Sequence, residues 1–229
     1  MDTEEEEEHK ATKKQVIPAD LLHILQVRRW APIGGTLLIG VIYLILPAHL
    51  QIIPGWIPLA LEGILLLPLV FTALTRRRLH HIAVRVLTLT ILGLVTAMLA
   101  SGIALLIITL PGNTRGASLL QTAALLWITN VLVFALWYWE VDGGGPLKRH
   151  LSGHKATDFM FPQQVDGNTS GWVPLFFDYV FVAFTGATAL SPADTYPLTQ
   201  RAKMLMMIEA LLSIMIIIVL AGRAVNILS

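Results

Sequence analysis

The stretch FFDYVFVAFTGATALSPADTYPLTQRAKMLMMIEALLSIMIIIVLAGRAVN, residues 176–226, decides how this chain is built. Its apolar segment Phe176–Leu190 runs into a polar knot, Ser191-Pro192-Ala193-Asp194-Thr195-Tyr196-Pro197. A long apolar helix, roughly Ala202 to Leu220, follows. Spanning a bilayer's hydrocarbon takes about 20 consecutive apolar residues; the second segment meets that length and the first falls short. The pattern predicts a short helix that enters the membrane, a loop that stops it, and a full helix that crosses. That is the outline of a channel pore.

The whole chain supports a membrane setting. Of its 229 residues, 55% are hydrophobic and 14% charged, against about a quarter charged in soluble domains. The expected fold class is all-α: a polytopic membrane protein with five long transmembrane helices plus Phe176–Leu190, which is either a sixth crossing or a re-entrant pore helix. A net charge of +1 and the lack of a basic stripe with interleaved aromatics give nucleic-acid binding no footing. The absence of Cys removes disulfides, thiolate catalysis and Cys-based metal sites. No cofactor is expected.

The order of the chain divides into regions. Residues 1–17 open with the acids Glu4 to Glu8 and then Lys10, Lys13 and Lys14, a self-repelling tail that buries nothing and is expected to be disordered. Residues 18–30 put Leu21, Leu22, Ile24, Leu25 and Trp30 largely on one helical face, the pattern of an interfacial amphipathic helix. Residues 31–140 hold four apolar stretches, about Ile33–Leu50, Ile52–Thr75, Ile82–Leu110 and Ala117–Trp139. The last closes on Trp137-Tyr138-Trp139, an aromatic cluster of the kind that sits at the membrane interface. Residues 141–171 form a polar, basic loop, and residues 172–229 the helix-loop-helix module. Within the loop, His150 and His154 have the i, i+4 spacing of a metal pair, but no third ligand stands nearby, so no metal site is expected.

Asp178 and Asp194 lie sixteen residues apart, and Pro197, Thr199 and Lys203 follow Asp194 by three, five and nine. In these intervals the module resembles the pore region of the voltage-gated potassium channel superfamily. Trp137-Tyr138-Trp139-Glu140-Val141-Asp142 is similar to the acidic outer end of that family's pre-pore helix, with Glu140 and Asp142 as the acids. The family places Thr-Val-Gly-Tyr-Gly before the Asp, so that backbone carbonyls line the pore. Here Ala189, Leu190, Ser191, Pro192 and Ala193 stand there. Proline is held near φ of about −65° and has no N–H, whereas glycine takes positive φ freely, so the segment departs from a carbonyl-lined filter. Phe184 to Asp194 also resembles a Phe-Thr-x-x-Thr-Ala-x-Ser-Pro-x-Asp pattern shared by bacterial integral membrane proteins of unassigned function.

Two arguments disagree on topology. Counting Lys and Arg, with Arg76, Arg77 and Arg78 as a topology anchor, favours a cytoplasmic N-terminus and Trp172–Leu190 as a full crossing. The channel resemblance instead requires that segment to dip in and return.

The functional expectation is a cation channel with a non-GYG filter, in the cell (cytoplasmic) membrane, multi-pass and homo-oligomeric, with the lipid bilayer and an inorganic cation as partners. Thr185, Thr188 and Ser191 would supply hydroxyls, Asp194 a ring of carboxylates, Pro192 the turn, and Met204, Met206, Met207 and Ile208 the inner lining. Glu62 and Glu209 lie at membrane depth, where a carboxylate costs several kcal/mol unless it is paired, protonated or facing a cavity. They carry the alternative, a small proton- or ion-coupled transporter. A non-conducting structural subunit is the third reading. Enzyme motifs are missing, and no catalytic residue is expected.

Overall fold

The computed structural model describes residues 19–48, 51–75, 81–109, 116–188 and 195–228. The helices are α1 (Ala19–Ile45), α2 (Trp56–Thr75), α3 (His81–Thr109), α4 (Gly116–Val141), the short α5 (Pro146–Leu151), α6 (Phe176–Ala187) and α7 (Gln200–Leu228). Two-residue strands β1 (Phe159–Met160) and β2 (Tyr196–Pro197) form the one extended pairing among the described residues. The chain is thus essentially all-helical. In Ala83–Ile108, Leu119–Gly144 and Gln200–Gly222 apolar residues predominate around the helix, a composition suited to surroundings without water.

Three stretches are long and apolar enough to cross a bilayer: Ala83–Ile108, Leu119–Gly144 and Gln200–Gly222. The first two long helices carry shorter apolar runs, Trp30–Ile45 and Trp56–Pro68, so the expectation of five long spans is met by length and composition in three. The predicted interfacial piece and first membrane stretch form one helix, α1, continuous through Pro32.

Consecutive long helices run antiparallel. Gly40 of α1 lies against Leu59 and Glu62 of α2, and the Trp137 indole of α4 donates to Thr96 Oγ1 of α3 at 2.9 Å. Asn130 Nδ2 of α4 donates to Glu209 O of α7 at 3.2 Å. At one end, the turn end, Pro47 follows the close of α1 and cannot prolong it. There Gln51 serves the freed backbone groups, donating to Tyr43 O at 3.0 Å and Leu46 O at 2.6 Å and accepting from Gly55 N–H at 2.8 Å.

The opposite end is a folded cap. Gly143, Gly144 and Gly145 all have positive φ (62°, 75° and 101°), which turns the chain sharply out of α4. Residues 142–175 then pack back over the helix ends. Phe159 and Phe161 are buried, and Arg149 is only 2% exposed. The loop expected to be polar and solvated is therefore partly core. So is the aromatic cluster: Tyr138 and Trp139 are buried, because the cap lies where the headgroup region was expected.

Helix α6 starts under this cap. Asp178 accepts from the Leu175 N–H at 2.6 Å, satisfying a donor at the helix start. Phe176 and Tyr179 stack edge-on against Trp139 near the end of α4, while Phe184 stacks against Trp127, well down the same helix. Twelve residues reach about 18 Å at 1.5 Å per residue, short of a hydrocarbon core of about 30 Å. The chain is then back at the cap, where Phe159 pairs with Pro197 and Met160 with Tyr196, antiparallel, and Leu198 N–H donates to Asp158 O at 2.8 Å. Residues 172–199 thus begin and end at the same end of the bundle. A full crossing, favoured by the charge count, would separate β2 from β1.

The core lies among α3, α4, α6, α7 and the lower part of α1, with a small second cluster of Ile33, Leu66 and Ile91. Helix α4 is central: 67% of its span is buried, against 22% for α7, whose outer face is covered by nothing among the described residues.

Candidate functional site

The deepest polar cluster gathers where α6 ends. Ala187 O, one of the last carbonyls of α6, accepts from Ser213 Oγ of α7 at 2.5 Å and from the Trp127 indole of α4 at 3.4 Å. The same indole donates to Ser213 Oγ at 3.0 Å. One turn above, Glu209 is fully buried, and its Oε2 accepts from the Tyr138 hydroxyl. Gly186 makes this possible, since a Cβ there would stand 2.9 Å from Glu209 Oε2. Glu209 Oε1 and Asn130 Oδ1 have no hydrogen-bond partner among the described residues. Three helices therefore converge on a carboxyl group beside the negative end of a helix dipole, an arrangement that favours positive charge.

A second buried acid, Glu62, stands between α1 and α2, and neither carboxyl oxygen has a hydrogen-bond partner among the described residues. It presses on Gly40, where a Cβ would overlap Oε2 and Leu59. Glu62 and Glu209 belong to different helix pairs and do not form one site.

The cap acids behave differently. Asp142 Oδ1 accepts from the N–H groups of Asp158 and Phe159 at 3.2 and 3.3 Å, and Oδ2 from the Tyr179 hydroxyl at 2.5 Å. Arg149 lies 3.8 Å from Asp142 Oδ2, donates to Trp139 O and Asp142 O, and sits over the rings of Trp139 and Tyr179. Asp158 accepts from Gly143 N–H, the Thr199 hydroxyl and both Nε and Nη2 of Arg201. These bonds tie the ends of α4, α6 and α7 together, so Asp142 belongs to the framework that holds the feet of the module.

Of the other predicted residues, Thr185 is buried and donates to Val182 O at 2.8 Å, and Thr188 donates to Phe184 O at 2.9 Å. Both hydroxyls bond their own helix. The Glu140 carboxylate and the Arg85 guanidinium flank Gly145, and Arg85 also donates to Gly144 O. Met204, Met207 and Ile208 are exposed on α7, while Met206 is half-buried. Ser191, Pro192, Asp194, Arg76, Arg77 and Arg78 lie outside the described residues.

Sequence reasoning missed Tyr138, Asn130, Gly186 and Ser213 as neighbours of Glu209, and Asp158 and Arg149 as the cap's core. Polar residues recurring along otherwise apolar helices were the available signal for the first group. Among the described residues no group of three or more His, Cys, Asp or Glu is placed to hold a metal ion. His150 Nδ1 and His154 Nε2 do meet, at 3.1 Å. No family model, curated protein or solved structure matches this chain.

Proposed function

We propose that the chain is a multi-pass protein of the cytoplasmic membrane, with α1, α2, α3, α4 and α7 crossing and α6 re-entrant, and that α4, α6 and α7 form a cation-carrying unit. The observation that carries this reading is the position of α6: it starts beneath the cap and ends its dipole about midway along two antiparallel long helices, against the buried Glu209. Half-helices whose C-terminal carbonyls point to mid-depth are a recurring device for stabilising cations inside a bilayer.

Charge supports an orientation. Among the described residues, Arg85, Lys148, Arg149, Lys155, Arg201 and Lys203 lie in the cap or in the helix turns that begin there, Arg28 and Arg29 lie in the first half of α1, and Arg223 lies near the far end of α7. The positive-inside rule then makes the cap cytoplasmic, the reverse of what the potassium-channel resemblance implies for its pore mouth. Re-entry and the charge bias are compatible once the module opens inward. Substituting Ser152→Cys and, separately, Tyr196→Cys places a thiol on two exposed cap positions of this Cys-free chain. An impermeant reagent on intact cells is expected to label neither until the membrane is opened. Labelling of both would reverse the orientation, and labelling of one alone would refute re-entry.

An axial pore needs several copies, and α6 and α7 offer them Phe177, Phe181, Met204, Met207, Leu211 and Ile218, all exposed. A carrier is the second reading, favoured by Glu209 facing inward between helices and away from that outer surface. Cation flux into vesicles containing the purified protein tests both. A flux proportional to concentration supports a pore, saturation supports a carrier, and flux equal to that of empty vesicles removes both.

A further inference from the structure

Glu209 and Asn130 present a chemical problem that their surroundings define. Glu209 Oε1 and Asn130 Oδ1 are buried acceptors without a donor among the described residues, and Asn130 Nδ2 is already committed to the backbone carbonyl of Glu209. An unpaired carboxylate in so apolar a place costs several kcal/mol. The geometry points to Glu209 as a proton-binding site at the end of α6, with Tyr138 as the residue that positions its carboxyl. This inference rests on the reading of α4, α6 and α7 as the ion-carrying unit and names the ion that the unit takes.

Packing argues for a proton over a metal ion. Hard cations gather about six or more oxygen ligands, whereas here the Tyr138 hydroxyl serves the carboxyl, the Asn130 amide serves the Glu209 backbone carbonyl, and Ala187 O and Ser213 Oγ, one turn away, are bonded to each other. Contact with Gly186 is close enough that even a methyl group would be crowded, at 2.9 Å from Oε2. One proton on Oε1 needs no such room. It neutralises the acid and turns Oε1 from an unpartnered acceptor into a donor.

Few other charges bear on the site. Tyr138 is the ionisable residue that α4 brings to it. The acid of α6, Asp178, sits at that helix's start and caps it. On α7 itself Arg201 and Lys203 are exposed in the first turn, and α3 has its ionisable residues, His81 and Arg85, at its cap end. Above Tyr138, Asp142, Arg149, Asp158 and Arg201 satisfy one another. No cation among the described residues reaches Glu209 to balance a negative charge.

Infrared spectroscopy of the full chain in lipid tests the site. The protonated-carboxyl stretch is expected at neutral pH, with one component lost in Glu209→Gln. Tyr138→Phe, which keeps both the acid and the ring, should move that component to higher frequency by removing the hydrogen bond. Glu62→Gln should leave it in place. A spectrum in which Glu209→Gln removes only carboxylate absorption would overturn the proposal, as would sodium-dependent thermal stabilisation of the wild type that Glu209→Gln abolishes. Flux in the same vesicles separates the two claims. Flux without a Glu209 component sinks the site and leaves the ion-carrying unit, while the component without flux keeps the site and sinks the unit.

Discussion

Asp142 and Asp158 in the cap are as thoroughly buried as Glu62 and Glu209 among the long helices, yet the two pairs are treated in opposite ways. Each cap acid accepts several hydrogen bonds and faces an arginine. Of the four carboxyl oxygens of Glu62 and Glu209, only Glu209 Oε2 has a partner among the described residues, a neutral hydroxyl. A buried charge that is fully bonded locks elements together, whereas one left open is free to bind something. The contrast divides the molecule into a framework and a place where chemistry can occur.

The largest expected effect falls on the framework. Asp142→Ala leaves Arg149 buried without its anion, and removing one partner of such a pair costs about 3–5 kcal/mol. Thermal unfolding in detergent should show that loss; a change below about 1 kcal/mol would mean that the cap does not depend on its acid. Next comes the crowded contact. Gly186→Ala forces a methyl group towards Glu209 Oε2, an overpacking worth about 1–3 kcal/mol. Glu209→Ala in the same chain should recover part of it, and strictly additive losses would show that the two residues do not touch. The smallest effect belongs to Arg201→Ala. Its ion pair with Asp158 is 2.6 Å long, but the Arg201 side chain is 59% exposed and the buried Asp158 keeps its bonds from the Gly143 N–H and the Thr199 hydroxyl, so water can take the arginine's place and the loss is about 1 kcal/mol, smaller still in high salt. A loss as large as that of Asp142→Ala would erase the distinction between a buried and a screened cap pair.

The long helices were legible because hydrophobicity is a local property: runs such as Leu119–Trp139 and Met204–Leu220 announce themselves. The short length of α6 was legible only in part, since Phe176–Leu190 left both a sixth crossing and a re-entrant helix open. The site was legible in one member. Glu209 stood out as an acid in an apolar helix, but Tyr138, Gly186 and Ser213 are ordinary residues until three helices bring them together.

Composition and the spacing of apolar runs by themselves determined that this is a helical chain suited to a bilayer, with an acid buried in its last helix. That the two flanks of α6 meet at one end of the bundle, the contact that bears on whether residues 172–199 cross or return, is visible only in the tertiary structure. Counting arginines gave one answer and the channel resemblance another, because neither records that Asp158, seventeen residues before Leu175, bonds to Thr199 and Arg201. Pairing between segments on either side of α6 is a long-range contact, and its stabilisation comes from groups that no local pattern joins.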